Sequence, residues 1–196
     1  MTRSFSMALT TASLAVLWVL FSFFSPSAQG AALSDFSAAV SNDWNSAGKT
    51  FTSGEWELWL SGYSYHAPWS YARKHSDDLN SKAWGVGVAR SVLDSKGDQH
   101  TVYILGFEDS YYHGEFHLGY MWMRSWPISE AGPRFGLGYS VFLFSRCDMY
   151  NHTPIPGALP FIALGGEKIK LYATFIPRIK GFVEGNTAYC FITLKR

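Results

Sequence analysis

Charge is scarce in this chain. Lysine, arginine, aspartate and glutamate make up only 16% of its 196 residues, against roughly 25% in an ordinary soluble domain. The two signs nearly cancel, leaving a formal net charge of +1, so no basic surplus exists to hold nucleic acid. Cysteine is nearly absent. Cys147 and Cys190 are the only two, too few for a disulfide scaffold or a thiolate metal site. Long apolar runs are missing too. The main apolar stretch, Leu14–Phe24, falls short of the ~20 residues a membrane-spanning helix needs. What the chain has instead is aromatics and glycine: 15 Phe, 11 Tyr, 8 Trp and 18 Gly. That mixture excludes a disordered chain and disfavours a helix bundle. It points to sheet, and to sheet in a membrane.

The first 30 residues read as a cleaved secretory signal. Arg3 is their only charge, the apolar stretch follows, and small residues surround Ala28 and Gly30. Removing them balances acidic and basic residues. Residues 31–196 carry no linker, repeat or low-complexity tract and read as one domain. Between Asp35 and Ala47, Phe36, Val40 and Trp44 recur every fourth position. This predicts a short amphipathic helix ending near Gly48, suited to a membrane interface.

Beyond it the period becomes two. Eight strands are predicted, over 55–66, 83–94, 99–109, 115–126, 133–147, 157–165, 168–177 and 186–195, each close to the length a tilted strand needs to cross a bilayer. Phe135, Leu137, Tyr139, Val141 and Leu143 share one face of the fifth, while Gly136, Gly138 and Ser140 share the other. The second and fourth repeat the pattern: large residues oppose small or apolar ones, not Lys and Glu. Large residues toward lipid and a tight, apolar interior fit this better than a soluble sandwich does. The expected fold is all-β, an eight-stranded antiparallel transmembrane barrel with a short N-terminal amphipathic helix. Short turns near 95–98, 132 and 165–166 belong at the periplasmic end. Longer connections at 67–82, 110–114, 148–156 and 178–185 belong outside. Cys147 and Cys190 then lie on distant strands, which disfavours a bridge.

This topology brings His66, at the end of the first strand, level with Asp109 and Ser110, at the end of the third. Serine with histidine suits proton abstraction and acyl transfer. Such residues are common at loop edges, so the trio alone is more readily read as chance. Among the other histidines, His75, His100, His113, His117 and His152, the spacing of His113 and His117 does not make a metal pair, because His117 falls in a strand pattern. Asn151-His152-Thr153 is read as a chance sequon.

An ordered set of motifs lifts the reading. Gly62-Tyr63-Ser64-Tyr65-His66-Ala67, Trp84-Gly85-Val86-Gly87, Gly106-Phe107-Glu108-Asp109-Ser110, Gly119-Tyr120, Gly136-Leu137-Gly138-Tyr139, Pro154-Ile155-Pro156, Leu159-Pro160, Thr174-Phe175-Ile176-Pro177 and Gly185-Asn186 together resemble the PagP family of outer-membrane lipid A palmitoyltransferases. The resemblance implies a monomeric enzyme in the bacterial outer membrane. It would move an acyl chain from the sn-1 position of a glycerophospholipid to lipid A of lipopolysaccharide, without metal or other cofactor. It also implies that His66 acts as general base, that Ser110 binds or polarises the ester carbonyl, and that Asp109 orients or charges the histidine.

The chain departs from the family's pattern in places. A family glycine that floors the acyl pocket falls on Met121, which by strand parity faces inward with His117, Gly119 and Met123. Methionine there favours a chain shorter than palmitate, whereas a shift of register would make Gly119 the floor. Ser61 and Ala83 stand where early strands of the family carry prolines. The last residues, Thr193-Leu194-Lys195-Arg196, lack the terminal aromatic common in outer-membrane barrels. A lipid A deacylase and a non-enzymatic structural or adhesive barrel are the rival readings.

Overall fold

A computed structural model describes residues 46–71, 79–130, 132–146, 152–179 and 183–196. The leader, Cys147 and His75 lie outside them, as does most of the helix expected over 35–47. The helix α1 is described over 46–53. It runs on past Gly48, where the sequence reading ended it. In it, hydroxyl groups bond back to the preceding turn: Thr50 donates to the Ser46 carbonyl at 2.7 Å and Ser53 to the Lys49 carbonyl at 2.8 Å.

Eight strands follow: β1 (Glu55–His66), β2 (Gly85–Leu93), β3 (Gln99–Glu108), β4 (Gly114–Pro127), β5 (Arg134–Arg146), β6 (Ile155–Gly165), β7 (Ile169–Ile176) and β8 (Thr187–Lys195). Each pairs antiparallel with the next, and β8 returns to β1, closing a barrel in chain order. Closure leaves no open edge. The difference in connection length is uneven. The 109–113 connection is no longer than 94–98 at the opposite end, because Asp109 folds it tightly, as described below.

The outer face carries the large apolar residues. Leu58, Leu60, Val86, Val88, Ile104, Leu118, Leu143, Ile162, Leu164 and Phe175 are all exposed. A contiguous apolar belt of this kind has no place on a water-soluble monomer and fits a lipid contact surface. Trp56, Trp84 and Trp126, also exposed, sit near strand ends as interfacial aromatics do. The Arg90 guanidinium ties α1 to β2. It donates to the carbonyls of Phe51 at 2.7 Å and Gly54 at 2.8 Å, supplying donors that the helix end lacks.

The interior is filled, and it is less apolar than the sequence pattern implied. Trp59 stacks on Tyr103 at 4.5 Å and on Phe191 at 4.7 Å, and Tyr172 stacks on Phe191 at 5.0 Å. Below this layer, toward the 94–98 turn, lies a polar cluster. The Glu57 carboxylate accepts bonds from Ser91, from Trp59 Nε1 at 3.2 Å and from Gln99 Nε2 at 3.2 Å, and Lys170 donates to Gln99 Oε1. These residues come from β1, β2, β3 and β7, so the cluster cross-links the base of the barrel. Glu57 is 5% exposed. Replacing it by leucine leaves three buried donors without their acceptor. Glu57→Leu should therefore lower the unfolding free energy by about 3 kcal/mol, read by urea titration of the refolded barrel in lipid vesicles.

Candidate active site

His66 is the last residue of β1, and its direction depends on an irregularity. Glu57, Trp59 and Ser61 face the interior and are buried. Strict alternation from Ser61 would turn His66 toward lipid. The pairing of β1 with β8 shifts between Ser61 and Tyr63, where Gly62 forms a bulge. The inward face passes to Ser64 and His66, 6% exposed each, while Tyr63 and Tyr65 point outward. A glycine inside a strand pattern is the sequence signal for such a bulge.

Ser110 follows β3 in the 109–113 connection. His66 Nε2 and Ser110 Oγ share a hydrogen bond of 2.7 Å. The expected histidine–serine pair is therefore assembled across two strands. His66 Nδ1 is buried and has no hydrogen-bond partner among the described residues.

The third member of the trio behaves differently. No hydrogen bond joins the Asp109 carboxylate to His66 among the described residues. Its Oδ1 accepts from the backbone N–H groups of Tyr111 and His113, both at 2.8 Å, and its Oδ2 lies 3.2 Å from Arg146 Nη2. Asp109 thus builds the turn that presents Ser110. An aspartate accepting from the N–H groups that follow it is a common turn device, so proximity in sequence to Ser110 is the stronger constraint on its side chain.

Asn80, buried in the β1–β2 connection, straps the same turn. Its backbone N–H donates to the Ser110 carbonyl at 2.9 Å, and its side-chain amide donates to the Asp109 carbonyl at 3.2 Å. Nothing in the sequence pattern singles it out. Arg146 reaches a second carboxylate, Glu115, at 3.8 Å, and lies over the Tyr111 ring at 5.7 Å. The Tyr111 hydroxyl donates to Glu184 at 3.1 Å. Burial, reinforced by Glu184, pushes this phenol up to about 12. The rim is therefore cross-linked between the loops after β3 and β7.

Inside the barrel below the rim, β4 turns Glu115, His117, Gly119, Met121 and Met123 inward, as parity predicts. Met121 and Met123 are 1% exposed each. His117 stacks on Phe142 at 4.6 Å and shares a 2.7 Å hydrogen bond with Glu115. Gly119 is closely packed: a side chain there would lie 2.6 Å from the Tyr103 hydroxyl and 2.7 Å from Phe142 Cβ. Cys190 sits between inward-facing Tyr189 and Phe191, and its pairing with Cys147 falls outside the described residues.

Residues 46–193 match the family described as "Antimicrobial peptide resistance and lipid A acylation protein PagP". The chain belongs to the PagP family. A lipid A acyltransferase PagP of Legionella pneumophila strain Paris is 38% identical over 143 residues, covering 72% of this chain and 74% of its own length. One from Bordetella pertussis strain Tohama I is 37% identical over 152 residues, covering 78% of each.

Two seams of this PagP barrel have interrupted pairing. The β6–β7 ladder stops at Ile162 and Ala173, leaving Ile155–Phe161 without β7 partners. Pro156 and Pro160 lie in that stretch and lack a ladder donor. The Thr174 hydroxyl donates to the Pro160 carbonyl at 2.6 Å. The β1–β2 ladder stops at Ser61 and Gly85. There the Ser61 hydroxyl donates to the Ala83 carbonyl and accepts from the Tyr189 hydroxyl at 2.6 Å, so Ser61 and Ala83 bridge this seam.

Proposed function

We propose that the protein is a monomeric lipid A acyltransferase of the outer membrane. It takes a fatty acyl chain from the sn-1 position of a glycerophospholipid and esterifies a lipid A hydroxyl. The observation that carries this reading is the 2.7 Å bond between His66 and Ser110, held at the rim of a barrel whose outer face is apolar. Family membership and the lipid A acylation named for the relatives support the substrate class. The leader sequence supports export, and the closed sheet supports a barrel that needs no partner to satisfy its edges.

The reaction needs one base, one acid and a place to hold the ester. His66 takes the proton of the lipid A hydroxyl, whose oxygen attacks the ester carbonyl while Ser110 Oγ–H holds the carbonyl oxygen. The new C–O bond forms, the bond to the glycerol oxygen breaks, and His66 returns the proton to that oxygen. A lysophospholipid leaves. Asp109 serves by fixing the turn that carries Ser110. Gly119 and Met121 line the interior below, where the acyl chain descends. Lipid enters sideways through the β6–β7 seam, where fewest backbone bonds stand in its way.

The test is mass spectrometry of lipid A from a Gram-negative host that lacks its own enzyme of this kind, with and without the chain. The host's phospholipids carry an isotope-labelled sn-1 chain. A mass gain of one labelled acyl group is the expected result. A mass loss with release of free fatty acid identifies a deacylase instead. Unchanged lipid A, with the barrel shown folded in the outer membrane, identifies a structural barrel.

A further inference from the structure

Among the described residues, no carboxylate bonds to the His66 ring. Asp109 faces its own turn, and Nδ1 has no hydrogen-bond partner among the described residues. Among the described residues the ring's one hydrogen bond is to Ser110, and a single bond does not by itself give the fixed geometry that catalysis needs. Another element must hold the ring.

The segment just after β1 does this. The Ala67 N–H donates to the Asn186 carbonyl at 3.0 Å, and the Ser70 hydroxyl accepts from the Asn186 N–H at 2.8 Å while donating to the Ala67 carbonyl at 2.7 Å. The chain is thereby folded back over the start of β8. The fold-back delivers Tyr71, whose ring meets the His66 ring edge to face, with centroids 5.7 Å apart at 76°. The Tyr71 hydroxyl lies 2.7 Å from Thr187 Oγ1. Thr187 is the cross-strand partner of His66 in the β1–β8 ladder. The anchor of the tyrosine and the backbone of the histidine are thus tied to one residue.

Gly185 makes room for this arrangement. A Cβ there would lie 2.2 to 2.4 Å from three atoms of the Tyr71 ring, so the ring occupies space that any other residue would take. Burial holds the Tyr71 phenol above the usual tyrosine value, which keeps its proton, and the bond to Thr187, in place across the working pH range.

We infer that Tyr71, seated on Gly185 and pinned by Thr187, is a positioning residue that holds the His66 imidazole toward Ser110. The inference rests on the catalytic reading of His66 and Ser110. Tyr71 touches no reacting atom. Its effect passes through the angle of the imidazole, so it belongs in kcat and not in lipid binding.

The experiment uses the mature barrel refolded in detergent, with a glycerophospholipid bearing a labelled sn-1 chain as donor and lipid A as acceptor. Tyr71→Leu should lower kcat about 10²-fold with KM within about twofold of the parent, the pattern expected for lost orientation. Tyr71→Phe keeps the ring and should recover most of that rate. Tyr71→Phe and Thr187→Val should each cost roughly fivefold and together cost no more than either, because they remove two ends of one bond. Nitrogen-15 imidazole spectra of His66 should change in Tyr71→Leu and stay near the parent's in Tyr71→Phe. If Tyr71→Leu does not fold, the Tyr71→Phe and Thr187→Val pair still reads the anchor, and additive losses overturn the inference. A Tyr71→Leu barrel that keeps kcat within about twofold, beside an inactive Ser110→Ala barrel, also overturns it while leaving the catalytic reading intact. An active Ser110→Ala barrel removes the premise and the inference with it.

Discussion

Ser110→Ala and His66→Asn should each slow acyl transfer about 10³-fold, and the double variant should be no slower than the worse single one. The reason is the 2.7 Å bond between them. A general base contributes roughly 10²–10⁴-fold, and a donor aimed at the carbonyl oxygen about 10²–10³-fold. Each contribution depends on the other group holding its place. The His66 ring without Ser110 loses its one hydrogen bond among the described residues, and Ser110 without His66 loses the partner that orients its hydroxyl. Residues acting as one unit give losses that do not add. The barrel itself should be unaffected, because both residues sit at the rim, away from the Trp59 stack and the Glu57 cluster. Label transfer from phospholipid to lipid A, measured over a wide time range, checks the rates, and resistance to unfolding in detergent checks the fold. Losses that multiply in the double variant would mean that the two residues act in separate steps.

Met121→Gly should lengthen the acyl chain the enzyme selects by about two to four carbons. Met121 faces inward, is 1% exposed, and pairs across the sheet with Thr101 on one side and Ser140 on the other. It sits one inward step below Gly119. Its side chain fills the depth that a longer acyl chain would need. A filled pocket rejects each surplus methylene by roughly 10–200-fold, so emptying it should change the product and not merely the rate. The same change opens a void in the core and should cost about 3 kcal/mol of unfolding free energy, recovered in part when a long chain occupies the space. Mass spectrometry of lipid A from cells with mixed phospholipid chains reads the first effect. Lost stability with an unchanged chain length would make Met121 ordinary core and place the floor at Gly119, where Tyr103 and Phe142 already close in.

The strands were largely legible because a barrel strand is set by local alternation, which a sequence displays directly. All eight appear within a few residues of the expected ranges, and the outward Leu, Val and Ile positions follow. The His66–Ser110 pair was legible because the strand order brings both to one rim and because the motifs that hold them resemble those of the family. Three things were not. The Gly62 bulge changes which residues face inward, yet it depends on the pairing of β1 with β8, whose partner residues lie at the far end of the chain. The Asp109 carboxylate has two choices within reach, and the backbone of its own turn is nearer than the histidine. The Glu57–Gln99–Lys170 cluster joins polar residues that look isolated along the chain and meet only when the sheet closes. Of the helix, the sequence reading stopped at Gly48, whereas α1 runs to residue 53; the stretch expected before residue 46 lies outside the described residues.

The uneven ladders have a mechanical consequence. Thirteen residue pairs join β4 to β5, while four join β6 to β7. In a hoop of strands, thermal motion collects where the fewest bonds resist it. Here that place is the outer half of one seam, because its inner half is fastened by the four pairs, with Lys170 bonded across the lumen to Gln99. The hoop therefore flexes like a split ring, pivoting at its base and parting on one flank. Compression by the surrounding bilayer acts against that parting. A thicker or more tightly packed leaflet would hold the ring shut, and a disordered one would let it spread, so the flexibility of the protein is set in part by the lipid around it.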